Sequence, residues 1–186
     1  MYSVVLDTNV VIAALRSRRG ASFAILRRIG QGWIPSISVA LILEYEAVGK
    51  REAQRLKISE NTVEAIVRAF CFVGRETDIP FRLRPVLPDP GDEFILELAV
   101  AGRVDAIVTH NVRHFVGAER FGIQVLTPRE FLSSCHRIEV IIGQTDQITA
   151  DELRLGARAS LRRLHSRNVA LTPRSPWYRA SGYLER

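Results

Sequence analysis

The chain has 186 residues, 47% of them hydrophobic, which suffices for one domain with a sizeable core and excludes wholesale disorder. Its two cysteines, Cys71 and Cys135, are too few and too far apart for a disulfide scaffold or a cysteine-built zinc site, and they point to a reducing, cytoplasmic setting. The N-terminus lacks a basic signal-peptide region, and no apolar run approaches the roughly 20 residues that span a bilayer, so no membrane role is expected. The formal charge is +6, and arginine supplies 24 of the 26 cations. That balance suits phosphate and permits a nucleic-acid partner, although a coding bias toward arginine gives the same composition.

In chain order, Ser3-Val4-Val5-Leu6 reads as a buried strand ending at Asp7. Helical pieces follow over Val10–Leu15 and Ser22–Ile29, broken near Gly20, and Trp33–Ser36 is a short strand. Val39–Val48 is helical and apolar nearly all round, and Ser59 caps a helix running to Phe72. Ile79–Leu87 is punctuated by prolines and reads as extended or irregular. Phe94–Ala101 is a strong helix ended by Gly102, and Ala106–Thr109 is a second buried strand. A short helix over Arg113–Phe121, the strand Gln124–Leu126 and a closing helix over Pro128–Leu132 complete the series. Short apolar strands alternating with helices predict an α/β fold: three layers, with helices on both faces of a parallel sheet. In such sheets ligands gather outside the carboxyl ends of the strands.

The charge is unevenly spread. Residues 1–132 carry 17 cations against 15 anions, whereas residues 133–186 carry nine arginines against five acids. A boundary is therefore expected near Ser133-Ser134, separating residues 1–132 from a basic C-terminal appendage over 133–186. In the appendage, Arg137–Ile142 looks like a strand. Thr149-Ala150-Asp151-Glu152 fits a capping box opening a helix to about His165, and Arg174, Trp177, Tyr178 and Tyr183 stud the tail.

The acids sit where the strand-end rule directs attention. Asp7, followed by Thr8 and Asn9, either holds a divalent cation or caps the next helix; Asn9 can cap in its place. Glu44 has apolar residues three and four positions away on both sides, and a buried carboxylate must meet a cation, a metal or an arginine. In Asp89-Pro90-Gly91-Asp92, Pro90 at the first helical position makes Asp89 the natural cap and frees Asp92 in the first turn. Glu93 and Glu97 are spaced like an outer, solvated face. Thr109, His110, Asn111, Arg113 and His114 form a second polar strand end, without zinc-site spacing around either histidine.

Taken together, these residues resemble the PIN domain, the metal-dependent ribonuclease fold of many bacterial toxin–antitoxin toxins (VapC-like). The likeness runs through Val4-Val5-Leu6-Asp7-Thr8-Asn9-Val10-Val11, Glu44, Asp89-Pro90-Gly91-Asp92-Glu93-Phe94-Ile95-Leu96-Glu97-Leu98-Ala99, Ala106-Ile107-Val108-Thr109-His110-Asn111 and Val125-Leu126-Thr127-Pro128-Arg129-Glu130-Phe131. The resemblance implies that Asp7, Glu44 and Asp92 share Mg²⁺ or Mn²⁺, with Asp89 nearby. Thr8, Asn9 and Thr109 would support the acids, and Arg113 would meet the RNA backbone. It also implies an RNA substrate, a cognate antitoxin and a homodimer. The family often has a fourth acid where this chain has Asn111, and another aspartate of relatives falls at His114; with one charge fewer, cation binding weakens. An impaired module that binds RNA or a protein without cutting is therefore the alternative. A dinucleotide-binding enzyme would need a glycine fingerprint where Asp7-Thr8-Asn9 stands. A phosphatase or receiver domain would need an aspartate at Asn9 or a lysine near Leu126-Thr127-Pro128.

Overall fold

The computed structural model describes residues 2–143, with side chains described through Cys135. Residues 2–140 belong to one compact unit. The expected helix from Thr149 to His165 and the aromatic tail lie outside the described residues.

Five strands, β1 (Tyr2–Leu6), β2 (Trp33–Ile37), β3 (Arg75–Glu76), β4 (Ala106–Val108) and β5 (Gln124–Leu126), form a parallel sheet in the order β3-β2-β1-β4-β5. Helices α1 (Thr8–Arg16), α2 (Ala21–Leu26), α3 (Val39–Leu56), α4 (Glu60–Val73), α5 (Glu93–Ala101) and α6 (Pro128–Gly143) connect and flank them. This is the α/β architecture expected from the sequence. Strand order reverses between β1 and β4, where Val4, Val5 and Leu6 pair with Ala106, Ile107 and Val108. All six are fully buried, so the sheet's centre is also the centre of the core. Such a reversal opens a crevice beyond the strand ends.

Local chemistry explains the elements. The Ser59 hydroxyl accepts from the Thr62 amide and caps α4 as expected. Gly49 of α3 lets α4 approach closely, since a Cβ there would lie 2.5 Å from Val63 Cγ1. Tyr45 of α3 is buried against Phe70 of α4 with ring centroids 5.0 Å apart, and its hydroxyl donates to the Leu6 carbonyl at the end of β1. That bond ties α3 to the strand end.

Several elements differ from expectation. β3 is two exposed polar residues and carries no apolar signature. The expected helix over 113–121 is two 3-10 turns, Val112–Phe115 and Ala118–Phe121, separated by Gly117 at φ 116°. Arg137–Ile142 is helical rather than a strand, because α6 runs through it. Thr127 and Glu130 start α6 as a reciprocal capping box: the Thr127 hydroxyl accepts from the Glu130 amide, and the Glu130 carboxylate accepts from the Thr127 amide at 2.8 Å. With no breaker before Gly143, each further residue adds a hydrogen bond and the β-branched run stays helical.

Glu93 and Glu97 form no solvated face; they are 1% and 4% exposed. Glu93 Oε1 accepts from the amides of Val86 and Leu87 at 2.6 and 2.9 Å, and Glu97 Oε1 accepts from the Leu83 amide at 3.0 Å. Arg84 pairs with Glu97 at 3.3 Å. The proline-punctuated segment has no strand partner for its amides among the described residues, and these carboxylates supply the acceptors. Replacing Glu93 with Ala strands two amides, so Glu93→Ala should lower stability by about 2–4 kcal/mol. Urea unfolding measures the loss, and a midpoint equal to wild type would contradict the clamp.

Candidate metal and nucleic-acid site

The chain leaves β1 directly into α1, and Asp7 is the joint. Its backbone is extended and its side chain caps α1, Oδ1 accepting from the Asn9 amide at 3.2 Å. Because α1 begins at Thr8 rather than Val10, the capping position falls on Asp7 and not on Asn9 as the sequence had allowed. Asp7 Oδ2 accepts from Asn9 Nδ2 at 2.7 Å and from the Thr109 hydroxyl at 2.6 Å. Thr109, fully buried beyond β4, in turn accepts from Asn9 Nδ2 and from the Asn111 amide. The Asn9 side-chain Oδ1 closes the set by accepting from the His110 amide at 3.1 Å. Capping and ligation are compatible here, since each carboxylate oxygen has two lone pairs.

Glu44 is half-buried rather than enclosed, because Leu43 and Ala47 beside it face solvent. It pairs with no arginine among the described residues; Oε1 accepts from the Thr8 hydroxyl at 2.6 Å. Asp89 caps the 3-10 turn Pro90–Asp92 through the Gly91 amide at 2.8 Å, as Pro90 predicted. Asp92 heads α5 without a capping bond and meets His114 Nδ1 at 2.9 Å through Oδ2. Asp89 Oδ2 lies 3.8 Å from the same nitrogen. Asp89, Asp92 and His114 each offer a ligand atom, all within 4.8 Å of one another. The exposed Asn111 carboxamide makes no hydrogen bond among the described residues. His110 Nε2 lies 2.9 Å from Ser22 Oγ, and its pKa is lowered by burial.

Asp7, Glu44, Asp92 and Asn111 line one cleft of about 590 Å³, with Thr8 and Asn9 in its floor. Arg113 is exposed and stands outside this lining. The cleft contains two cations that the sequence reading did not single out, Arg16 and Arg55, and a further acid, Glu52. Arg55 is paired with Glu52; Arg16 has no ion-pair partner among the described residues. Four carboxylates in one recess create a negative field that attracts a cation and repels bare phosphate. The donor set, carboxylate oxygens with one imidazole nitrogen and one carboxamide, fits a hard or borderline divalent ion such as Mg²⁺ or Mn²⁺.

The electrostatics of Asp7 reflect that crowding. Burial raises its pKa, the Thr109 and Asn9 donors oppose the rise, and the charges of Asp92 and Glu44 add to it. A carboxyl whose folded pKa lies above its unfolded value favours folding most when protonated. Its contribution is fully present below the unfolded pKa and is lost as pH rises through the folded pKa. Metal-free wild type should therefore lose stability relative to Asp7→Asn as pH rises across that window. Thermal melts of both proteins from acidic to neutral pH check this; a constant difference would refute it.

The family model described as "PIN domain" matches residues 3–113. No curated protein matches the sequence. Among solved structures, the chain is similar to VapBC2 from Rickettsia felis bound to a DNA fragment from their promoter. The identity is 13%, the match covers 67% of this chain and 98% of that one, and the TM-score is 0.47. No helix among the described residues is long and apolar enough to cross a membrane.

Proposed function

The chain belongs to the PIN-domain family, and from that premise we propose that it is a divalent-metal-dependent endoribonuclease and the toxin of a bacterial toxin–antitoxin module. The observation that carries the nuclease reading is the meeting of Asp7, Glu44 and Asp92 on one cleft at the β1–β4 reversal. The toxin setting, with a cognate antitoxin, a homodimer and a cytoplasmic location, rests on the sequence resemblance over residues 2–132.

Asp7, Glu44 and Asp92 would hold the ion, with Asn111 offering a carboxamide oxygen in place of a fourth acid. When bound, Mg²⁺ or Mn²⁺ supplies Lewis acidity and positive charge at the phosphate. The protein's own groups do the rest. Thr109 and Asn9 fix the orientation of the Asp7 carboxylate, and Thr8 fixes Glu44. Glu44 or Asp92 orients the attacking water and accepts its proton at a free carboxylate oxygen. Asp89 fixes the turn that presents Asp92, and Arg113 meets the RNA backbone. Asp7→Asn and Asp92→Asn should each lower divalent-dependent RNA cleavage by at least about a hundredfold, since even outer partners of a metal site cost 10–100-fold. Cleavage of a labelled RNA with Mn²⁺ measures this, with circular dichroism as the folding control; equal cleavage would refute the site.

Asn111 favours a second reading, a module that binds RNA or a protein without cutting, because the cleft lacks one acid. Calorimetry separates the two. Asn111→Asp should tighten Mn²⁺ binding by roughly tenfold through the added charge. Wild type that takes up no Mn²⁺ at millimolar concentration would favour the binding module.

A further inference from the structure

Two helices give the cleft an internal order. The Thr8 hydroxyl on α1 donates to Glu44 on α3, which sets the two helices in register at their acid end. Both leave the carboxyl ends of neighbouring parallel strands, β1 and β2, so both run from that end in the same sense. Into the cleft α1 then offers Ile12 and Arg16, and α3 offers Val48 and Glu52, at the four-residue spacing that keeps to one helical face. The lining therefore changes along its length. Acids come first. A strip of the buried Ile12 and the half-buried Ala13 and Val48 follows. Arg16 and the Glu52–Arg55 pair close it, about 12 Å along the helices from Thr8 and Glu44. Glu52 is committed to Arg55, which leaves Arg16 without an ion-pair partner among the described residues. Helical side chains lean toward the N-terminus, so a cation at Arg16 is aimed back over the strip.

We propose that Ile12, Ala13 and Val48 seat one base of the substrate strand, between a phosphate at the acid end and a second phosphate held by Arg16. One nucleotide with its two flanking phosphates has the same order of parts: anion, flat apolar face, anion. The ion that the acids would hold meets the first phosphate, and the Arg16 fork meets the second. A base face gains from covering an apolar surface whatever its identity. An acidic protein segment would satisfy Arg16 but leave the strip uncovered. The inference rests on the ribonuclease reading and deepens it: the cleft takes an unpaired nucleotide, because a base stacked in a duplex cannot reach the strip.

Calorimetry on the full chain with Mn²⁺ tests the seat. The probes are an adenosine bisphosphate, with one phosphate on each side of the ribose, and its abasic counterpart. Wild type should bind the nucleotide about tenfold more tightly than the abasic ligand. Val48→Asn makes the strip polar and Ala13→Leu fills it; each should erase that difference while leaving Mn²⁺ affinity unchanged. Arg16→Ala should weaken both ligands by about tenfold and keep the ratio between them. In Mn²⁺-supported RNA cleavage, Arg16→Ala should raise KM with kcat nearly unchanged. The wild-type comparison decides even where a variant fails to fold. Equal binding of the two ligands by a wild type that takes up Mn²⁺ and cuts RNA would overturn the seat and leave the nuclease reading intact. A preference for the base that survives both strip variants puts the base elsewhere and also overturns it. If poly-glutamate binds through Arg16 and neither bisphosphate binds, the cleft serves an acidic protein segment and the proposal falls. Wild type that neither takes up Mn²⁺ nor cuts RNA overturns both readings.

Discussion

A carboxylate that is 6% exposed can stay in the fold only if other groups replace the water it has lost. At the end of β1, Asp7 receives a backbone amide, a carboxamide and a hydroxyl. The last of these comes from Thr109, beyond the neighbouring strand, so the solvation of Asp7 and the alignment of β1 with β4 are one constraint. Tyr45 adds a second tether by donating to the Leu6 carbonyl. Because Glu44 precedes Tyr45 on α3, that bond also fixes where Glu44 can stand. Burial raises the Tyr45 pKa well above its ordinary value, with the Asp7 and Glu44 charges adding, so the hydroxyl stays a donor at neutral pH.

The same physics recurs on the far side of the site for a structural purpose. Glu93 and Glu97 are buried because the proline-punctuated segment before α5 offers amides with nowhere else to turn. Their hold on residues 83–87 sets the approach to the turn that Asp89 caps, and that turn delivers Asp92 to the cleft. Acids thus fill two distinct offices within a few residues. Asp92 keeps an oxygen for the cleft and His114, while Glu93 and Glu97 are given to backbone.

The sequence disclosed what is local. Apolar runs ending in polar residues marked β1, β4 and β5, and Ser59 and Asp89-Pro90 marked helix starts that the structure has at those places. Asp7 and Glu44 were nameable because each ends or interrupts an apolar pattern, Asp92 because Pro90 gave the cap to Asp89, and Asn111 through the family resemblance; all four lie on one cleft. What depends on tertiary contact was not disclosed. Arg75-Glu76 is a strand only because β2 lies beside it. Helix α5 is buried nearly all round, so its spacing could not assign Glu93 and Glu97 to a face. His114 reaches Asp92 across 22 residues of sequence, a meeting that no spacing rule anticipates. Arg16 became visible only when the cleft that it borders took shape.

The hydrogen bond from Thr109 to Asp7 joins positions 102 apart in the chain. A chain emerging from the ribosome exposes β1 first, yet that strand must wait for β4 before its terminal carboxylate finds its partner. The constellation at the sheet's centre is therefore completed only after β4 has been made, and shorter polypeptides carry the pieces without the assembled cleft. Long-range pairing thus acts as a timer on the site, written into strand order rather than into any single side chain.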